Sequence, residues 1–164
     1  MTTVQLIEDL KNLCEDAVKK MDLPVAVQKG DVKAEMRVPE VYKMRLPNSE
    51  NARKYAPYII VQLVGTHHIQ EPGKLPLHTA SVRFIFAVYC EDEQAGSIML
   101  LNVMDRVHQR LLSKVQVGKP FLLYVHKPLE TVVYPDNTAP YYAGEMAGTF
   151  ILPPTEREVD FLGK

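Results

Sequence analysis

Cysteine occurs twice in this 164-residue chain, and tryptophan not at all. Cys14 and Cys90 are too few and too far apart to form a disulfide framework, so reduced thiols in a cytosol are expected. The missing tryptophan excludes nothing. A surplus of charge is also lacking: 19 basic against 20 acidic residues give a formal charge of −1. That balance argues against a protein that grips a nucleic-acid backbone, which needs clustered positive charge. No apolar run approaches the roughly 20 residues of a membrane span. The start MTTVQLIEDL has no basic segment leading into an apolar one, so no signal peptide is read there. HExxH, CxxC, Gly-x-Ser-x-Gly and a phosphate-cradling glycine loop are all absent. Basic residues are not interleaved with aromatics as in single-strand nucleic-acid readers. There is no internal repeat, low-complexity stretch or second domain.

What is present describes a core. With 46% hydrophobic and 24% charged residues the composition is that of a globular protein. A chain this long buries roughly 70% of its unfolded surface as one domain, with no need of metal or disulfide. The best-specified unit is residues 81–112. Val82, Phe84, Phe86 and Val88 alternate with Ser81, Arg83, Ile85 and Ala87 as in a strand with one apolar face. Glu91, Asp92 and Glu93 then lead into a helix whose stripe is Ile98, Leu101, Met104, Val107, Leu111 and Val115, widened by Leu100 and Val103. The acids suit the positive end of the helix dipole, and Arg106, Arg110 and Lys114 the negative end.

Before it, Thr2 and Gln5 predict a capping box opening a helix with Leu6, Leu10, Leu13, Cys14, Ala17 and Met21 on one side. Core cover is favoured over a free interaction helix. Residues 25–28 suggest a short strand. Residues 33–47 predict a ribbon: Ala34, Met36, Val38, Tyr42, Met44 and Leu46 fall on even positions, and Lys33, Glu35, Arg37, Lys43 and Arg45 on odd ones, with only Glu40 and Val41 breaking the parity. Pro39 within it suits an edge strand or bulge. A solvated edge and an arm packing on a neighbouring subunit are both open, since a long bare edge invites aggregation. Residues 47–56 read as a loop, 58–64 as a strand covered on both faces, and 65–76 as a long hairpin connection. After the central helix, 121–133 predicts a strand broken at Lys127-Pro128, and 142–152 the last strand, its Gly144 and Gly148 leaving a shallow groove on one face. Residues 153–164 form a charged tail with Val159, Phe161 and Leu162 as anchors. The fold class expected is α+β: a mostly antiparallel sheet against two main helices, with an extended β-ribbon arm.

Three functional readings follow. His67, His68 and His78 are candidates for a metal-dependent enzyme, but strand neighbours face opposite sides and surface histidines are the plainer reading. The Gly144/Gly148 groove suggests a ligand-binding adaptor. The third is assembly. Tyr55-Ala56-Pro57-Tyr58-Ile59-Ile60-Val61, the strand 82–89 and Glu93-Gln94-Ala95-Gly96 opening a helix come first. Ala139-Pro140-Tyr141-Tyr142-Ala143-Gly144-Glu145-Met146 and Leu152-Pro153-Pro154 follow. In this order they resemble the tail-terminator or tail-completion (head–tail joining, minor tail) proteins of tailed bacteriophages and prophages. Where relatives often carry an aromatic and an acidic residue after the helix-opening glycine, this chain has Ser97-Ile98-Met99. The resemblance implies a non-enzymatic virion protein, assembled in the bacterial host cytoplasm as a hexameric ring. It would cap the tail-tube protein, meet the head-completion or connector protein and let DNA pass without binding it specifically. It implies no cofactor, catalytic residue, metal or membrane. The residues expected at subunit interfaces are Met36, Arg37, Val38, Tyr42, Lys43, Arg45, Gly144, Gly148 and Phe161.

Overall fold

In the computed structural model, the described residues are 2–26, 35–135 and 137–155. Phe161, Ala34 and most of the charged tail fall outside them. Helix α1 (Thr3–Val18) opens on Thr2, whose Oγ1 accepts from the Gln5 N–H at 3.4 Å. Only half of the capping box forms, because the Gln5 side chain donates forward to Asp9 Oδ1 at 2.9 Å. Short strands β1 (Leu23–Pro24) and β2 (Met36–Arg37) pair antiparallel. After β3 (Glu40–Lys43), a 3-10 turn capped by Asn48 and a short helix α2 (Ala52–Tyr55) occupy the expected loop. Three long strands follow in the order β4 (Tyr58–Ile69), β5 (Leu77–Tyr89) and, at the end, β9 (Tyr141–Leu152). Between β5 and β9 come helix α3 (Glu93–Lys114) and strands β6 (Gln116–Val117), β7 (Phe121–Leu123) and β8 (Glu130–Val133).

The main sheet runs β3-β4-β5-β9-β7-β6, with β8 also on β9. All its pairs are antiparallel except β3 with β4. The architecture is therefore the expected α+β, with α1 and α3 covering one sheet face. Since β5 follows β9 from Tyr141 to Leu152, β7 and β8 share the other side of β9 end to end. The strand expected over 121–133 is thus two strands divided at the Lys127-Pro128 break.

Phe84, Phe86, Phe121, Phe150, Met146, Leu6, Leu10, Leu100 and Leu111 are fully buried between sheet and helices. The alternation of β5 decides this: Val82, Phe84, Phe86 and Val88 point at the helices, as their period predicts. The stripe of α3 differs from the expected one. Leu100, Val103, Met104, Val107 and Leu111 are buried, whereas Ile98, at 57% exposure, Leu101 and Val115 face outward. The reason is Gly96. A Cβ there would lie 2.2 Å from the Tyr142 ring, so the start of α3 can pack on β9 only with glycine at this position, and Met104 meets β9 again at Gly144. Two overlapping apolar stripes exist in the sequence, and the smallest residue selects which one docks. Asp92 caps α3, its Oδ1 accepting from the Ala95 N–H at 2.8 Å, which gives the acids the expected place at the helix start.

Candidate interaction surface

The ribbon expected over 33–47 is not continuous. Its first half pairs with β1, the chain turns at buried Pro39, and its second half becomes a parallel edge strand on β4. Even parity also fails. Val41, on an odd position, is the buried residue, while Met36, Val38 and Met44 are exposed. The pairing with β1 ends before Pro39 and a new pairing with β4 begins after it, where Val41 turns into the core. Met44 then leaves the strand with a positive φ of 65°.

Each expected contact residue has a definite place. Met36 is 57% and Val38 37% exposed beside the edge. Arg37 is occupied within the subunit: its guanidinium donates to the Tyr55 and Pro57 carbonyls, pinning β2 to the start of β4. Lys43 is ion-paired with Glu8 of α1 at 2.5 Å. Arg45 is exposed. Tyr42 donates to Glu40 Oε2 at 2.8 Å and packs edge-on against Tyr55 and Tyr58. Gly144 and Gly148 correct the expectation, because both are buried on the helix-facing side of β9. A Cβ at Gly144 would meet Met104 Sδ and the Val132 carbonyl at 2.9 Å, and one at Gly148 would meet Leu129. The groove that two glycines leave on a strand is filled by the chain itself, so it offers neither a subunit contact nor a ligand site.

The histidine expectation changes as well. His67 and His68 lie in β4, not in a loop, since the strand runs on to Ile69 through a bulge at Leu63/Gly65. Strand alternation separates them: His68 sits opposite His78 with ring centroids 5.6 Å apart, and His67 sits opposite Thr79 on the other face. Among the described residues no group of three or more His, Cys, Asp and Glu side chains is placed to hold a metal. Cys14 is enclosed in the core, and burial pushes its thiol well above the ordinary range. A thiolate is the reactive form, so Cys14 is inert in the folded protein. Among the described residues no helix is long and apolar enough to cross a membrane.

What the fold assembles instead is two unlike sheet edges. At one end β3 is flanked by exposed Met36, Val38 and Met44, with Val64 beyond it on β4. A recess of about 290 Å³ lies at its root, lined by Thr3, Val4, Ile7, Lys43, Met44 and Leu63. At the other end β8 exposes Val132 (50%) and Val133 (46%), next to Tyr134 and, from the β7 region, Leu122 and Val125. The solvent face between them is tied by a polar row. Arg83 donates to Gln62 Oε1 at 2.6 Å, and Glu145 Oε2 lies 3.8 Å from Arg83 and accepts from Tyr134 O–H at 3.0 Å. Reasoning from sequence missed the second edge. Its signal was Leu122, an apolar residue on the off-parity side between Phe121 and Leu123.

Tyrosines frame this surface. Tyr42 is pushed up to about 12, by burial first and by its bond to Glu40 second. Burial raises Tyr58, and burial with the bond to Glu145 raises Tyr134. A raised folded value means the folded protein keeps protons that the unfolded chain releases. This contribution to stability is intact below about pH 10 and is lost as pH rises toward 12. Melting temperature is expected to fall across that window, with tyrosinate absorbance appearing in the same interval. A flat melting temperature with free tyrosine titration would refute it. No family model matches the sequence, and no curated protein matches it.

Proposed function

We propose that this chain is a non-enzymatic assembly protein that closes into a ring by docking one sheet edge onto the other edge of the next copy. The carrying observation is the pair of apolar edges at opposite ends of the sheet, Met36/Val38/Met44/Val64 and Val132/Val133/Leu122/Val125. A contact between two different patches is heterologous, and its repetition closes a ring when the rotation per subunit allows it. The resemblance of the segment order to phage tail-terminator proteins supplies the setting. The ring, a hexamer by that resemblance, would cap the tail tube at its head-proximal end and present a surface to the head-completion protein. The near-neutral charge suits a DNA conduit, because a strongly basic lumen would hold the phosphates.

The test mixes two variants. Met44→Asp spoils one edge and Val132→Asp the other. Each alone is expected to be monomeric by light scattering, where the parent protein forms a ring visible by negative-stain microscopy. Mixed one to one, they retain one intact junction and should form a heterodimer. A strictly monomeric parent would sink the proposal, as would a mixture that stays monomeric. Binding of the ring to one end of preassembled tail tubes tests the phage setting separately, and rings that ignore tube ends would refute that part.

A further inference from the structure

The apolar stripe that α3 does not turn to the sheet remains on its outer flank. Ile98, Leu101, Leu112 and Val115 are 57%, 42%, 50% and 36% exposed, and Asp105 and His108 lie between them. Steps along 98-101-105-108-112-115 alternate between three and four residues, the heptad period of a helix that packs on another helix. Helix α1 lies against the opposite flank, where Arg110 pairs with Asp16, and does not cover this line. The line itself holds no lysine, arginine or glutamate, and uncharged Asn102 and Gln109 border it. Val115 closes the helix with a φ of 50°, backbone that glycine adopts freely and a β-branched residue rarely. The chain thus keeps an isopropyl group where glycine would fit better, and leaves it partly exposed.

The line is complementary to its own reverse. About the midpoint between residues 106 and 107, Ile98 mirrors Val115, Leu101 mirrors Leu112 and Asp105 mirrors His108. We infer that α3 pairs antiparallel with α3 of a second copy along this line, about a two-fold axis at residues 106–107. Apolar pairs then close both ends, and on each side of the axis an Asp105 carboxylate accepts from a His108 ring N–H of the other copy. Other arrangements lose this match. A parallel pair would set Asp105 against Asp105, and a slip of one heptad would set it against Leu101 or Val115, a carboxylate in an apolar layer. A polar layer at the centre fixes orientation and register in this way. One chain has one α3, so the match is met only between two copies, by the reciprocal contacts of a two-fold interface. The line is about 25 Å long, so the contact is small and its dissociation constant is expected in the micromolar range. It is separate from the edge-to-edge contact of the ring and stands without it; where both form, two rings stack with dihedral symmetry.

The experiment uses full-length chains in a Cys90→Ser background that also carries Met44→Asp, which spoils the ring edge. One chain carries Leu101→Cys and the other Leu112→Cys, both at exposed positions. Mild oxidation of the mixture is expected to give a disulfide dimer on denaturing non-reducing gels, and either chain alone very little. A chain with both cysteines should give a closed dimer and no ladder, since each contact of a two-fold pair is used twice. Asp105→Arg in both chains should lower the yield about tenfold, and adding His108→Asp should restore it by reversing the charge pair. Equal yields from the single chains and the mixture would overturn the antiparallel register. A ladder from the doubly substituted chain would overturn the two-fold, and no disulfide from the mixture would overturn the pairing, leaving the line to a segment of the same chain or to solvent. Failure of His108→Asp to restore the yield would refute the central polar pair. Because the ring edge is already spoiled in every sample, none of these results depends on ring formation.

Discussion

Replacing Phe84 with alanine is expected to lower stability by about 3–5 kcal/mol, the range for emptying an aromatic site in a packed core. Phe84 is fully buried on the central strand β5, between Val61 of β4 and Met146 of β9. Its ring meets Phe150 edge-on with centroids 6.5 Å apart, so the loss includes an aromatic pair as well as apolar area. The cavity would lie against residues of three strands that are themselves locked by long ladders, which limits collapse into it. Against the roughly 5–15 kcal/mol that holds a typical domain together, this is a large fraction. Urea denaturation followed by circular dichroism checks it. A midpoint shift equivalent to less than about 1 kcal/mol would mean the site relaxes freely, contrary to the packing described.

Gly144→Val is expected to be comparably damaging, by a different route. The first added carbon would lie 2.9 Å from the Val132 carbonyl and 2.9 Å from Met104 Sδ. The thioether can swing away, but the carbonyl belongs to β8, paired with Gly144 through Val133. Overpacking of a side chain typically costs 1–3 kcal/mol, and a clash with backbone adds to that by parting β8 from β9. Hydrogen exchange is expected to show the amides of residues 130–133 losing protection before those of β5. Gly65→Ala is the matched control. A Cβ there meets nothing within 4 Å, so its effect is expected to stay within about 0.5 kcal/mol. Equal losses at both glycines would contradict the geometry.

These substitutions show how much could be read in advance. The alternation of Val82, Phe84, Phe86 and Val88 specified which face of β5 is core, because strand period and burial are the same fact seen twice. The acids at the start of α3 and the α1 face were legible for the same local reason, although only the structure shows that Asp92 is the cap. The glycines on β9 were visible too, but their meaning was not. Gly144 and Gly148 open space on a strand, and only the arrival of Met104, Leu129 and Val132 shows who uses it. The parity of residues 34–46 did not carry through, since Pro39 ends one pairing and a new one begins after it, with Val41 turned inward and Met44 left exposed.

The sequence by itself determined the α+β class, the two helices, the long strands and the lack of any local catalytic signature. Those follow from periodicity, capping and composition, which act over a few residues. The tertiary structure decided which stripe of α3 docks and that the glycine groove is filled. It also set Leu122, Val125, Val132 and Val133 at one end of the sheet, away from Met36, Val38 and Met44 at the other. Edges are a property of strand order, and strand order is set by pairings between residues as far apart in sequence as His78 and Leu152, where local pattern carries no information.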